Sequence, residues 1–493
     1  MSCTRIGSPI LALALALAFS SCRVGPEYSR PEVPTPASFR SVQPEPPASP
    51  SLGELEWFKV FNDPTLQSLV RQALSQNYDA RIAAERVIAA REFVGVEQSQ
   101  LLPELQAGGQ YTRTKLSEGT GIGSLPGIDK RPSQHSLFGD LSWELDFWGR
   151  IRSATDAARA ELLATELNRR AVLQTLVCDL SSAYFDLLEL DEELRITRET
   201  YESRQSSFDL VSLRLDEGVA NKVEYRQAES LVLETAGNLP LLESAIESQE
   251  NLIRILMGTS PGPIPRGAAL LEQPREVDVP VGLPSALLDR RPDIGAAEAR
   301  LISANARIGE AKALLYPTIA LTGTGGLVSN DLDELFRGGS SFFDVGPSLV
   351  MPIFNAGELR SNIRITEAQQ REAALSYQKT LQQAFREVAD SLIRRQKITE
   401  SREWREQLEE TLGDQLSLSN DRYLGGVTSY LEVLDSERDH FDSEINLARA
   451  IRDELLAYVA LYRALGGGWQ GTDEDAATGP QVGASTSDLA SGM

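Results

Sequence analysis

The chain has 493 residues, room for two or more ordinary domains, with 71 acidic against 48 basic side chains and a formal net charge of -23 at pH 7. That balance argues against nucleic acid as a partner and fits a long solvated surface. No internal stretch reaches about 18 uninterrupted apolar residues, so no membrane-spanning helix of the mature chain is indicated.

The first element is an export signal. Arg5 is followed by "ILALALALAFSSC", an apolar run too short to span a bilayer and ending in small residues. Phe19-Ser20-Ser21-Cys22 resembles the lipobox of bacterial lipoproteins, with Phe19 where leucine is usual. The reading is a signal over 1–21 and a lipid attached to Cys22 as the first mature residue. Cys3 leaves with the signal, so Cys178 is the one other mature cysteine and no intrachain disulfide is possible. Pro31, Pro34, Pro36, Pro44, Pro46, Pro47 and Pro50 make 22–62 a lipid-anchored extended tether.

From there the chain is written twice, over 63–258 and 285–466. "QNYDARIAAERV" at 76–87 returns as "RRPDIGAAEARL" at 290–301, and the match runs without a gap from Asp79/Asp293 through Gly95/Gly309 and Pro103/Pro317 to Gly109/Gly323. A second block repeats at a different spacing: Gly149/Gly357, Gly218/Gly426, Glu229/Glu437 and Gly258/Gly466. Coincident glycines and prolines punctuate structure, so the match is not shared helical composition alone.

Each copy begins with a helix and then turns to period two. Strands are expected at 104–115, 136–147, 318–328 and 342–353. Leu137, Leu141, Trp143, Leu145 and Phe147 alternate with Ser136, Asp140, Ser142, Glu144 and Asp146, with Phe138 as the exception. Ile319, Leu321 and Leu327 alternate with Thr318, Thr322 and Thr324, and Phe343, Val345 and Leu349 with Asp344, Gly346 and Ser348. One apolar and one polar face, at about the 9–11 residues a membrane strand needs, describe a strand between lipid and water. Tyr316, Phe147, Trp148, Phe342 and Phe354 cluster near the ends like an interfacial girdle. Four strands cannot close a barrel, and open edges in lipid leave backbone groups unsatisfied, so sister chains must complete it. Two chains give eight strands and three give twelve; patterning does not choose between them.

The rest of each copy is a long helical hairpin, at 149–257 and 356–465. No proline falls between Pro132 and Pro240 or between Pro352 and Pro480. Leu173, Leu180, Leu187, Leu194, Tyr201, Phe208 and Leu215 recur every seven residues, a coiled-coil seam that Val177 and Tyr184 widen. The second seam is patchier, with Arg395, Arg402 and Glu409 at the matching positions. Gly218 and Gly426 mark tight reversals. A Pro-rich equatorial link at 259–284 joins the copies, and 467–493 reads as a disordered tail.

No enzyme site is found. The two histidines, His135 in a predicted loop and His440 in a predicted helix, sit in no metal-ligand cluster of the sequence, and no nucleotide-binding loop is present. No metal and no cofactor beyond the covalent lipid is expected. Cys178 lies outside the main seam and reads as a buried, inert thiol.

Four stretches carry a family resemblance: "CRVGPEY" at 22–28, "VGLPSALLDRRPDIGAAEARL" at 281–301, "KALLYPTIAL" at 312–321 and "RYLGGVTSYLEVLDSERD" at 422–439. Over roughly 22–468 the chain resembles the outer membrane efflux factors, the TolC-like family, and within it the OprM/NodT lipoprotein subgroup. The resemblance implies a mixed α and β membrane protein: a homotrimer with a twelve-stranded outer-membrane β-barrel continued by a twelve-helix periplasmic α-barrel. It implies a passive exit duct of a tripartite efflux system, with a periplasmic adaptor and an inner-membrane pump, most often of RND type, as partners. It carries a pore gate onto Glu432 and Asp435, three residues apart on one helix face, and adaptor contacts onto the tips Gly218, Val219, Gly426 and Val427. Glu432 replaces a frequent aspartate, and Thr428 stands where TolC itself has an arginine. A duct for protein secretion of type I and a periplasmic coiled-coil lipoprotein that never spans the membrane stay open as alternatives.

Overall fold

The computed structural model describes residues 23–33, 52–117, 119, 129, 131–274 and 287–469. Cys22, the signal, most of the tether, the end of the link and the tail beyond Trp469 lie outside the described residues. The chain divides into two compact units that cut across the sequence repeat. One takes Met1–Glu32, Val87–Thr165 and Ala296–Tyr377; the other takes Val33–Arg86, Glu166–Gly295 and Gln378–Met493.

The helices are α1 (Trp57–Val60), α2 (Pro64–Gln76), α3 (Tyr78–Ser99), α4 (Arg150–Asp216), α5 (Lys222–Leu256), α6 (Leu287–Arg290), α7 (Pro292–Ala313), α8 (Glu358–Leu424) and α9 (Tyr430–Ala464). The strands are β1 (Glu104–Arg113), β2 (Ser133–Glu144), β3 (Thr318–Ser329) and β4 (Ser341–Val350). The duplication is visible in these bounds. Both ends of α7 lie 214 residues after those of α3, and both ends of α8 and α9 lie 208 residues after those of α4 and α5. The slip from 214 to 208 falls between the two strands of each pair.

The first unit holds an antiparallel meander in the order β1-β2-β3-β4, with β1 and β4 as its edges. Its register puts the alternation to work. Leu105 pairs with Leu141 and Ala107 with Gly139; Trp143 pairs with Leu321, and Ile319 with Leu349. Asp140 lies between Gln106 and Thr324 on the other face, where Thr324 Oγ1 donates to Asp140 Oδ1 at 2.6 Å. Phe138, the exception to the pattern, lies between Gly108 and Gly326. A Cβ on Gly108 would come within 2.8 Å of the ring, and one on Gly326 within 2.7 Å of Phe138 Cα. Gly108 makes room for the aromatic on the polar face, and Gly326 lets the two backbones approach beside it.

All four strands are found, with several bounds shifted from expectation by one to three residues. β2 starts three residues earlier than the expected 136, so His135 is in a strand, its ring 4.8 Å from Tyr111, and not in a loop. It also ends earlier, because Asp146 turns to capping: its carboxylate accepts from the N–H groups of Ile151 and Arg152 at 3.0 Å each. β4 stops at Val350 because its partner strand begins at Thr318, opposite Val350. Met351 and Ile353 stay alternating in sequence without a ladder.

In the second unit, the chain just after the tether is folded. Leu52, Trp57 and Phe61 are buried, and the Phe61 ring meets Tyr462 edge-on at 5.8 Å. The tether drawn to residue 62 is therefore shorter at this end. Asp63 caps α2 through Thr65 N–H at 2.8 Å and accepts from Tyr184 Oη at 3.2 Å and Gln273 Nε2 at 3.1 Å. Arg291, from the "LDRRPD" motif, is nearly buried and bridges Asp293 and Glu387, each at 2.7 Å, while donating to the Ala464 carbonyl at 3.1 Å. Gly467 and Gly468, assigned to a disordered tail, are buried, and Arg170 lies 4.9 Å over the Trp469 ring.

The four long helices have 67, 35, 67 and 35 residues. The seam residues Leu173, Leu180 and Leu187 are at most 1% exposed. One 18-residue window of α4 reaches a mean hydropathy of 1.2, but 67% of it is buried inside the protein, as befits a core helix. Cys178 is buried as expected, and desolvation pushes its thiol up to about 12. In the second copy, Leu381 and Val388 keep the seam apolar, and charge then takes over. Arg402 Nε reaches Glu454 Oε2 of α9 at 2.9 Å, without hydrogen-bond alignment, and Thr399 Oγ1 donates to Glu454 Oε1 at 2.7 Å. Pro240 sits inside α5 on its exposed side, where the lost backbone bond faces solvent.

Candidate functional site

Three parts of the chain bear on a duct: the sheet, the hairpin tips, and the start of α9. The apolar face of the sheet is unpartnered. Leu105 is 77%, Phe343 85% and Leu349 66% exposed. That much apolar area on one side of a four-stranded sheet, opposite a face of Gln106, Asp140, Thr322 and Thr324, is the pattern of a barrel wall with lipid outside and water inside. The edges of β1 and β4 are open in a single chain, as the strand count requires. Of the aromatics expected near the strand ends, Trp148 and Tyr316 stack at 4.7 Å, and Trp148 Nε1 donates to the Pro317 carbonyl at 2.9 Å.

Both tips are built alike. Gly218 and Gly426 have φ of 76° and 70°, the left-handed region that an L side chain enters at a cost. Gly218 N–H bonds Leu215 O at 3.0 Å and Val219 N–H bonds Arg214 O at 2.8 Å; Gly426 and Val427 repeat this on Tyr423 and Arg422 at 3.0 and 2.9 Å. This is the Schellman closure, which satisfies the last helix carbonyls. Gly258 and Gly466 end the returning helices the same way. Val219 and Val427 project outward, 67% and 73% exposed. Beneath the tips the two hairpins share a core of Val211, Ala228, Tyr423, Tyr430 and Val433. Arg214 caps it from 4.6 Å over the Tyr423 ring. Deeper along, the guanidinium of Arg204 is buried against Thr235 and 5.4 Å over Phe441. Burial lowers its pKa and raises that of its neighbour Glu437.

Glu432 and Asp435 both lie on the first turns of α9. Glu432 is in the first turn, where a carboxylate favours the helix N-terminus. Its counterpart in the first copy, Glu224, forms a capping box with Asn221. Thr428 Oγ1 donates to Glu432 Oε2, and Arg422, at the end of α8, approaches Glu432 Oε1 at 3.5 Å. Asp435 is exposed and lies 3.4 Å from Arg438. The structure thus supplies a guanidinium to Glu432 that sequence reading missed. The signal was present in "DRYLGGVTSYLE", since the Gly426 reversal folds Arg422 back over the first turn of α9.

The residues next to Cys22 are held by the sheet unit. Val24 N–H bonds Trp148 O at 3.2 Å, Arg23 pairs with Asp156 at 2.6 Å, and Tyr28 Oη and Arg30 Nε both donate to Glu298 Oε1, at 3.0 and 2.7 Å.

A family model described as "Outer membrane efflux protein" matches residues 69–259 and 283–467. The chain belongs to that family. It is similar to a toluene efflux pump outer membrane protein, TtgF, of Pseudomonas putida, at 35% identity over 93% of this chain and 96% of that one. It is similar to the cation efflux system protein CusC of Escherichia coli at 33% identity, covering 94% and 99%. The open-state MtrE outer membrane channel of Neisseria gonorrhoeae superposes with a TM-score of 0.82 at 29% identity, over 91% and 99%.

The chain is therefore an outer-membrane efflux channel protein, seated in the outer membrane and extending into the periplasm. Its fold class is the barrel continued by long helices that the resemblance implied, and its relatives are transport proteins rather than enzymes. The reading as a non-spanning coiled-coil lipoprotein is set aside. The structure brings His440 together with Glu409 and Glu444, with one potential ligand atom of each within 4.8 Å of the others. The sequence shows the i, i+4 pair His440/Glu444, but Glu409 arrives from α8, 31 residues upstream.

Proposed function

We propose that three copies of this chain close a twelve-stranded barrel and a twelve-helix periplasmic barrel, forming the passive exit duct of a tripartite efflux system. The observation that carries this is the open-edged four-stranded sheet with one apolar face, which lipid tolerates only when sister chains pair its edges. A periplasmic adaptor grips the tips at Val219 and Val427, and an inner-membrane pump of RND type supplies energy and substrate. Glu432 and Asp435 line the gate, where threefold symmetry makes two stacked rings of carboxylates that favour cations. Thr428 and Arg422 hold Glu432. A lipid on Cys22 anchors the chain. Val24, two residues on, is bonded to Trp148, so the acyl chains meet the bilayer beside the aromatic end of the strands.

The cargo is a range of small molecules, as the toluene and cation relatives suggest, passed through a polar-walled tube with no dedicated pocket. Deleting the gene tests this against protein secretion. Efflux predicts increased sensitivity to solvents or drugs with an unchanged set of secreted proteins; loss of a secreted polypeptide alone refutes it. Native mass spectrometry of the detergent-solubilised protein tests the assembly, and a monomer or dimer refutes the twelve-stranded closure.

A further inference from the structure

On the tip side of the second hairpin, where α8 and α9 pack together, Glu409, His440 and Glu444 converge. One ligand atom from each lies within 4.8 Å of the others, and His440 Nε2 is 4.0 Å from Glu444 Oε2. All three side chains are half-buried. His440 Nδ1 is fully buried and has no hydrogen-bond partner.

Three further observations make this more than a pair of solvated acids. First, among the described residues no lysine or arginine forms an ion pair with Glu409 or Glu444. The nearest guanidinium acting on Glu444, that of Arg195, is held by Glu192 at 2.6 Å and Glu199 at 2.7 Å. Two carboxylates without a lysine or arginine partner are the charge that one divalent ion cancels. Second, Gly413 lies inside α8, eleven residues before its end at Leu424, where glycine costs about 1 kcal/mol relative to alanine. A Cβ there would stand 3.4 Å from His440 Cε1, in van der Waals contact, so the imidazole packs directly against this point of α8. Third, the repeat supplies an internal control. The positions 208 residues earlier are Tyr201, Val232 and Ala236, with Gln205 opposite Gly413. The first hairpin packs this level with an aromatic and aliphatic groups; only the second converts a seam position and its neighbours to ligands.

We propose that Glu409, His440 and Glu444 bind one first-row divalent cation of the zinc class per chain, clasping α8 to α9. One imidazole and two carboxylates are a borderline nitrogen–oxygen set that suits zinc over the softer copper(I), which selects thiolate and thioether. Donors around a tetrahedral ion at about 2.0–2.2 Å lie about 3.4 Å apart, so side-chain rotations of about 1 Å close the set, with water completing the shell. The ion joins residues 31 apart in sequence and fixes the register of the two helices. It sits five residues beyond Asp435, about 7.5 Å along α9.

The test uses zinc chloride titrated by calorimetry into the full-length protein in detergent, with wild type, His440→Ala and the double variant Glu409→Gln/Glu444→Gln compared. The expected result is one site per chain in wild type that is lost in both variants, with a rise in unfolding temperature on zinc addition seen only in wild type. The glutamines keep side-chain shape, so the double variant reports even where His440→Ala misfolds. Equal zinc uptake by all three proteins, or no uptake by wild type, overturns the proposal. Neither result depends on whether the duct conducts.

Discussion

Replacing Arg422 by glutamine should loosen the gate by a calculable amount. Arg422 Nε and Glu432 Oε1 are 3.5 Å apart, and their side chains are 57% and 41% exposed. A pair that open to water contributes about 0.5 kcal/mol. Three symmetry copies acting on one closed state sum to about 1.5 kcal/mol, about a tenfold change in the closed-to-open ratio. Glutamine removes the charge but keeps a polar stem through Cδ, and the tip closure uses only the Arg422 carbonyl, so the reversal itself is untouched. The assay is single-channel recording in planar bilayers at low and high salt. Wild type should open more as the screening length falls from about 10 Å at 0.1 M to about 3 Å at 1 M. Arg422→Gln should start about tenfold more open and respond less to salt. The same open fraction and salt response in both proteins would refute the reasoning.

Replacing Glu432 and Asp435 together by alanine should raise anion permeability in the same bilayers; unchanged reversal potentials would remove both from the gate. Bulky substitutions at Val219 and Val427 should abolish efflux in cells while the detergent-extracted oligomer keeps its mass, and normal efflux would leave these tips only a turning role. Cys178, its thiol raised to about 12 by burial, should resist a maleimide at pH 8 until the protein is unfolded; rapid labelling of the native protein would contradict the packing around α4. Glu189 is raised to about 8, chiefly by desolvation and then by its hydrogen bond with Glu193. The folded state therefore holds a proton that the unfolded chain releases near 4.5, and this contribution to stability is lost as pH rises through 8. Thermal unfolding should be easier at pH 9 than at pH 6, and Glu189→Gln should flatten that slope.

The helices were the most legible part because their ends are written in glycine. Gly218, Gly258, Gly426 and Gly466 each close a helix with positive φ, a requirement no neighbouring contact can supply. Strands were legible through alternation, but alternation does not say where pairing stops. Leu145 and Phe147 continue the pattern past β2, although Asp146 has already begun to cap α4. The charged second seam looked like a weak coiled coil because the sequence does not show Glu454 opposite Arg402. The same blindness hid Arg422 beside Glu432 and Glu409 beside His440. Each is a pairing of two helices, and a one-dimensional reading sees only the pairs four residues apart on one of them.

Matched counts of 67 and 35 residues in both halves restrict how this protein can change size. One residue added to a single helix turns everything beyond it by about 100° and pushes it about 1.5 Å along. Seven residues added to each helix of one hairpin alone would keep its buried side inward yet leave it about 10 Å taller than its twin. Growth is permitted only in heptads granted to all four helices at once, whereas the outer turn between β1 and β2 has already drifted from that between β3 and β4 without disturbing any helix.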